Sequence, residues 1–480
     1  MTRINTNTAA LTAVRNLSRS QQSLQLSLER LSTGLRINRG ADDPAGLIIS
    51  QNLRSEIEGV RQAIANSQRA SNVIATTEGA LDEVANLLND IKSLIIEAAN
   101  SGAVSDDEIK ANQLQIDDAI NSITRIANTT TFGGRKLLNG SLSYITSGVN
   151  AARITDLNIN RAQRGTSPFL PVEINVIQSA QHAQLFFPVA QLSGSVTIEI
   201  AGKNGVDSIP LQSGQTAAQI LAAINNTTDS TGISASFIGG NSANGIVLTS
   251  LEYGSDAFVS VSEIGGTGAI QSLFENVDGD PKSRDEGRDV RATINGAGIT
   301  GKGLKLSLNN STLGVEFRIQ ESFNTNGGAT SFAIAGGGAI FQLGAGVDTN
   351  QQVNIGVQSV AATRLGNATL GFLQEITDSG QYSLTKGQAS QAALIIEESI
   401  RQVSVLRGRL GAFEKNTLDT NVNQLTITME NLTAAESSIR DLDFAQETSQ
   451  LTRNQILVSA GTSILAIANQ TPQTVLSLLQ

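Results

Sequence analysis

Histidine is the side chain best suited to proton transfer or metal ligation near neutral pH, and the chain carries one, His182, in the string QSAQHAQLFF. A Ser-His-Asp triad or a His-ligated zinc site would have to use it, and there is no HExxH string. Flanked by Gln181 and Ala183, it reads as a surface or strand residue. There is no cysteine, which removes disulfides, thiolate metal sites and Cys nucleophiles. Gly298-Ile-Thr-Gly301-Lys302-Gly303 has a phosphate-loop look, with the wrong glycine spacing and no Ser or Thr after the lysine; it reads as a hairpin turn. The glycine run 336–338 lacks a strand–loop–helix setting. The acid pairs Asp42-Asp43, Asp106-Asp107 and Glu397-Glu398 are adjacent in sequence, and adjacent acids on a helix do not face each other. The N-x-S/T strings at Asn128 and Asn226 are expected by chance in so Asn-rich a chain. No catalytic, cofactor-binding or metal residue is assigned, no cofactor is expected, and the chain reads as a non-enzyme.

The elements carry the stronger signal. Val14, Leu17, Leu24, Leu28, Leu31 and Leu35 fall on steps of three, four and seven, with only Gln21 polar in the seam. Leu418, Val422, Leu425, Met429, Leu432 and Ile439 repeat the pattern near the other end. A 3.5-residue spacing puts such side chains on one stripe that needs another helix. Asp43 and Pro44 suit a cap and a first helical position. From there a helix is expected to about Asn100, on Ile57, Val60, Ile64, Ile74, Leu81, Leu88 and Ile95, with a second stripe on Val84, Leu87, Ile91, Leu94 and Ala98; it would span roughly 80 Å. Ser105 with Glu108 has capping-box spacing and opens a helix on Ile109, Ile116, Ile120, Ile123 and Ala127. A long helix is expected over 388–445, a last one over about 446–469, and an apolar tail restarting at Thr471-Pro472.

The middle, 173–345, holds more than half of the 45 glycines. Val196–Ile200 and Leu304–Leu308 alternate as half-buried strands do, with one helical island at Thr216–Ile224. The expected fold is α+β: a long antiparallel helical, coiled-coil bundle built from both termini, with an inserted β-rich outer domain. Residues 1–43 with 446–480 form a terminal coiled-coil domain. Residues 44–172 with 346–445 form a helical rod with β-hairpins, and 173–345 the insert.

Aromatics are only 4%, with no Trp, so burial must come from aliphatic side chains, which suits thin bundles. The net charge of −10, with both signs dispersed, argues against a nucleic-acid partner, which would need a basic patch. MTRINTNTAALTAVRN lacks the apolar core of a cleaved secretory signal, and no stretch is long and apolar enough to insert in a membrane. The seams run into both ends, where chains usually fray, and the end helices are too thin to bury all their apolar faces against each other. That favours association with further copies.

INTNTAAL at 4–11, LERLSTGLRINRGADDPAGLIIS at 28–50 and QILVSAGTSILAIANQTPQTVLSLLQ at 455–480 resemble the signatures of bacterial flagellin, the flagellar filament subunit, over about the first 140 and last 100 residues. SGSVTIEIAGKNG followed by TAAQILAAINN resembles the strand–helix motif inside some flagellins and hook-associated proteins. Pro44 stands where the family commonly has Ala. The resemblance implies a homopolymer, a helical filament for swimming motility. It implies a subunit exported unfolded through a type III apparatus without a cleaved signal, secreted, and resident in the extracellular flagellum. Expected partners are an export chaperone on the C-terminal helix, a filament cap and hook-associated proteins.

The implied assembly residues are Leu24, Leu28, Leu31, Leu35, Ile456, Leu457, Ile464, Val475, Leu478 and Leu479, poorly ordered until neighbours cover them. Arg36, Asn38, Asp42 and Asp43 would form the spoke below the first helix. Members recognised by the innate receptor Toll-like receptor 5 use a rod patch matching NDIKSLIIEAAN at 89–100 and the helix near Gln115. Leu94 fits, whereas Asp90 replaces the usual Arg and Gln115 the usual Glu, which argues against strong recognition. The alternative within the family's relatives is a hook–filament junction protein. A metallopeptidase in the insert is opposed by the single histidine, and an adhesin-like insert would have no identified ligand.

Overall fold

The computed structural model describes residues 6–100, 102–165, 167–266, 274–275 and 281–477, the last seven as backbone alone. Eight α-helices lie among them: α1 (Thr8–Thr33), α2 (Pro44–Ala99), α3 (Asp106–Thr129), α4 (Ala217–Asn225), α5 (Thr228–Thr231), α6 (Ala389–Phe413), α7 (Thr420–Arg440) and α8 (Phe444–Ser477). The architecture is α+β, helical ends around a β-rich middle. The chain forms two compact units: Met1–Ser71 with Gln342–Gln351 and Glu414–Gln480, and Asn72–Phe341 with Gln352–Phe413. These divisions cut the chain elsewhere than at the expected 43/44 and 445/446. Helix α2 contributes its residues up to 71 to the first unit and the rest to the second.

The first unit is helical. Asn7 caps α1 by accepting the Ala10 N–H at 3.0 Å. Gly34 ends it at φ +72° with its N–H on the Arg30 carbonyl at 2.8 Å, the left-handed stop that glycine adopts without strain. The first stretch of α2 runs antiparallel to α7. Ser50 Oγ donates to Glu436 at 3.0 Å, Asn421 Nδ2 donates to Ser67 Oγ at 3.0 Å, and Ser71 donates to Glu414. Leu418 is buried, while Val422, Leu425, Met429, Leu432 and Ile439 stay half-covered.

Two expectations for the C-terminal helices are corrected. The single helix over 388–445 is three pieces, because a six-residue π-helical segment, Glu414–Asp419, separates α6 from α7. A wider turn of this kind re-phases the faces on either side. The expected break at Thr471-Pro472 is absent, since α8 continues to Ser477; a proline removes one N–H and crowds one carbonyl, which a long helix can survive.

In the second unit α2 and α6 are antiparallel, tied by Lys92–Glu397 and Arg407–Asp82, each at 2.9 Å. Ile74, Thr77, Leu81, Val84, Leu88, Ile91, Ile95 and Ala98 of α2 are buried, a strict seven-residue repeat that merges the two expected stripes into one. Ser399, Val403, Leu406, Leu410 and Phe413 of α6 repeat it, and Ile116, Ile120, Ile123 and Ala127 form the buried face of α3. The expected capping box is present: Ser105 Oγ accepts the Glu108 N–H at 3.3 Å and Glu108 accepts the Ser105 N–H at 2.7 Å.

The β-region has two separate cores, one interrupting the other in sequence. The interrupted core joins a five-stranded antiparallel sheet to a three-stranded one. The order in the first is 297–300, 291–294, 170–178, 329–337, 144–147, and in the second 305–309, 313–319, 154–162. The interrupting core joins strands 284–286, 258–266, 196–202 and 206–211 to strands 182–187, 246–253 and 233–237, with α4 packed on it. The expected boundary at 172/173 falls inside the strand Leu170–Gln178, and strands from Tyr144 onward pair with strands beyond 312. That pairing joins residues far apart in sequence, which the linear pattern does not carry.

Candidate functional site

The pair α1–α8 leaves large apolar side chains exposed along both helices. Asn7 Nδ2 donates to the Ala468 carbonyl at 2.8 Å, Asn454 Nδ2 to Ser27 Oγ at 3.3 Å, and Arg30 meets Glu447 at 3.8 Å. Gly461 lies against Leu17. Each step towards the C-terminus of α1 is matched by a step back along α8, so the pair is antiparallel. Among the covered positions are Ala10, Ala13, Leu17, Ser20, Leu24, Ser27 and Leu31 on α1, and Glu447, Leu451, Asn454, Val458, Gly461, Leu465 and Ala468 on α8. Both series alternate steps of three and four, the coiled-coil pattern.

This seam differs from the one expected. The leucines at 17, 24 and 31 are shared, but the layers between them are filled by Ala13, Ser20 and Ser27. Val14 and Leu28 face outward, about half exposed at 48% and 51%. Leucines seven apart can be completed on either side. Small residues win here because they let the large side chains of α8 sit level with them and bring the backbones together.

Of the expected assembly residues, Leu24, Leu31 and Leu35 are half-covered. Leu28, Ile456, Leu457 and Ile464 are exposed. Val475 lies in α8 where only backbone is described, and Leu478 and Leu479 fall outside the described residues. Leu11, Phe444 and Ile467 are also exposed, at 64%, 54% and 62%; the seam-seeking pattern passed over them. Leu11 and Ile467 lie off the stripe of their helices, and Phe444 lies on the stripe of α8 at its first turn. In heptad terms Val14 and Leu28 flank one side of the seam, while Leu457 and Ile464 flank the opposite side. The pair thus presents two apolar flanks. Fully burying each such side chain would contribute about 1.5–3 kcal/mol.

The spoke residues form one connected turn. Arg36 N–H donates to the Arg440 carbonyl at 2.7 Å, Arg36 Nε to the Ile439 carbonyl at 3.2 Å, and the Leu442 N–H to the Gly34 carbonyl at 3.0 Å. Asn38 Nδ2 donates to the Leu35 carbonyl at 3.4 Å. Asp42 Oδ2 accepts the N–H groups of Arg39 and Asn38 at 2.8 and 3.0 Å. The Arg39 N–H is the main reason the Asp42 carboxyl is held below its ordinary value; burial opposes it, and Asn38, Arg30 and the Arg39 charge add to it. Asp43 caps α2 through the Gly46 N–H at 2.9 Å.

The other chemical candidates are placed as structural groups. His182 opens the strand 182–187, packs against Tyr253 with ring centres 3.7 Å apart and planes tilted by 38°, and sets Nδ1 3.1 Å from the Glu252 carbonyl. Lys302 and Lys305 exchange backbone hydrogen bonds at 2.9 and 3.0 Å around Gly303, at φ +58°; the glycine-rich string is a tight reversal. Among the described residues no three His, Cys, Asp or Glu side chains gather as a metal site, and no helix is long and apolar enough to cross a membrane. Asp90 and Gln115 are exposed, on α2 and α3, and Leu94 is half-covered.

Comparison with known proteins bears on the same segments. The bacterial flagellin N-terminal helical region matches residues 4–143, the C-terminal helical region 394–479, and the flagellin hook IN motif 197–252. The last of these lies within the interrupting β-core. B-type flagellin of Pseudomonas aeruginosa is 32% identical over 99% of both chains. The chain belongs to the bacterial flagellin family. Flagellin of Salmonella typhimurium is 29% identical over 99% of both chains, and that of Clostridium tyrobutyricum 30% identical over 98% of this chain and 100% of that one. As a flagellin, the chain is a structural subunit that polymerises into the extracellular flagellar filament.

Proposed function

We propose that assembly runs through the α1–α8 pair, with its two apolar flanks seated on two different neighbouring copies. The observation that carries this reading is the exposure of Leu28 on one flank and Ile464 on the other, at 51% and 56%. Two unlike flanks make a head-to-tail contact that does not close on itself, which yields an open helical polymer. Leu24 and Leu31 act by holding the pair together, and Leu28, Ile456, Leu457 and Ile464 by touching neighbours. Val475, Leu478 and Leu479 continue the apolar series in sequence.

In this reading the chain has three parts: the terminal pair, a helical rod, and a β-rich outer part that begins near Tyr144. The subunit is exported unfolded, with a chaperone on the C-terminal helix, and is placed under a filament cap beyond the hook-associated proteins. The turn at Arg36, Asn38, Asp42 and Asp43 links the terminal pair to the rod. Recognition by Toll-like receptor 5 at Asp90, Leu94 and Gln115 is weak, because an acid and a neutral amide replace a cation and an acid.

Seeded polymerisation of the purified chain, followed by electron microscopy, tests the reading. Long tubes that fail to form from L28D/I464D chains, while the second unit melts unchanged, are the expected result. Normal tubes from that variant would overturn it, and short rings from the parent chain would favour a junction role.

A further inference from the structure

We infer that the polar pairs inside the α1–α8 seam, Arg30 with Glu447 and Ser27 with Asn454, fix the register in which the two terminal helices join. The inference rests on the reading of this pair as the assembling element and adds what selects its alignment. The apolar pattern cannot select it alone. Leu17, Leu24 and Leu31 stand level with Gly461, Asn454 and Glu447, and Ala13, Ser20 and Ser27 with Leu465, Val458 and Leu451. A slip of three or four residues would set large on large and small on small. A slip of seven returns Leu17 and Leu24 to positions without a large apolar side chain on α8, because both helices repeat every seven residues.

The polar groups break that degeneracy. Glu447 is 8% exposed and the Arg30 terminal nitrogen lies 3.8 Å from its carboxylate, while Arg30 Nε is buried without a hydrogen-bond partner. Asn454 donates to Ser27, which is 4% exposed. After a one-heptad slip in one direction Glu447 would lie past the end of α1, level with Asn38, and Arg30 would come level with Gln455. In the other direction Glu447 would come level with Leu24, and Arg30 with Asp441 ahead of α8. Each slip strands a buried charge that the present register pairs, and stranding a buried charge costs far more than an intact pair contributes. A single polar layer that sets alignment at some cost in stability is an established device of coiled coils.

The chain has no cysteine, so paired substitutions report register cleanly in full-length filaments under mild oxidation. S20C/V458C reports the register described, and S20C/L451C a slip of one heptad; gel mobility separates links within a chain from links between chains. In the parent background the first pair is expected to link at least about tenfold more than the second. In an N454L/E447L background the slipped pair is expected to approach the native one. A slipped yield that stays at the parent level there would overturn the proposal. Charge reversal supplies a second arm: E447R alone is expected to raise the slipped product and R30E/E447R to restore the native one. Native-only linking in E447R would equally overturn it. Failure of the parent chain to form filaments at all would count against the assembly reading instead.

Discussion

Gly461 lies against Leu17: a Cβ at 461 would stand 3.3 Å from Leu17 Cδ1 and 3.6 Å from its Cβ. Two effects then compete in Gly461→Ala. Helix propensity gains about 1 kcal/mol, and the contact requires the end of a flexible leucine to give by a few tenths of an ångström. The two nearly offset, so G461A filaments are expected to melt close to the parent temperature. In Gly461→Leu the added branches have no such room, and overpacking costs about 1–3 kcal/mol. Calorimetry of assembled filaments distinguishes the two, and a G461L filament at least as stable as the parent would refute the close packing.

The flanks and the seam should fail differently. Ile464→Asp places a charge on an outward flank and leaves the α1–α8 seam intact, so it is expected to stop elongation at any seed concentration. Leu24→Ala instead removes a half-covered seam side chain, and a loss of about 2 kcal/mol is expected to raise the critical concentration without blocking growth. Light scattering across a concentration series reads both. The combination Leu31→Asp with Leu478→Asp attacks the seam of α1 and the C-terminal end together, and is expected to leave a folded rod that does not polymerise.

Asp42 links the spoke to pH. Its carboxyl is held below the ordinary 3.8, first by the Arg39 N–H. A depressed acid contributes stability that is present above the unfolded value and lost as pH falls through the folded one. The turn at 38–42 is therefore expected to loosen only in acid, below about pH 4. Asp42→Asn, which keeps one acceptor oxygen and no charge, is expected to remove that acid step while lowering stability at pH 7 by about 1 kcal/mol. Filament dissociation followed from pH 7 downward measures it; an identical acid profile in D42N would exclude Asp42 as the cause.

Tyr144 marks the alkaline side. Burial pushes its hydroxyl up to about 12, and that oxygen accepts the Ala162 N–H at 2.9 Å. A raised acid favours the folded chain fully below its unfolded value of 10.0, and the advantage is lost as pH rises through the folded one. Unfolding of the β-region is expected to ease between about pH 10 and 12. Tyr144→Phe is expected to abolish that dependence and, by leaving the Ala162 N–H without its acceptor, to cost about 1–3 kcal/mol. Denaturant melts at pH 8 and pH 11 give both numbers, and unchanged pH dependence in Y144F would refute the assignment.

The sequence by itself determined the α+β class, the helix starts at Asp43–Pro44 and Ser105–Glu108, the island at α4 and the amphipathic ends, because caps and periodicity are local and repeat along the chain. The signature strings at both ends also pointed to the family. Tertiary structure alone decided which of two candidate faces of α1 pairs with α8, since leucines at 17, 24 and 31 are compatible with either and only the partner's side-chain sizes choose Ala13, Ser20 and Ser27. It alone decided which strands the segments from Tyr144 onward pair with, because sheet pairing joins residues far apart in sequence. The meeting of Arg30 with Glu447 was closed to a linear reading for the same reason. Each depends on a partner hundreds of residues away, and spacing along one helix carries no information about which partner that is.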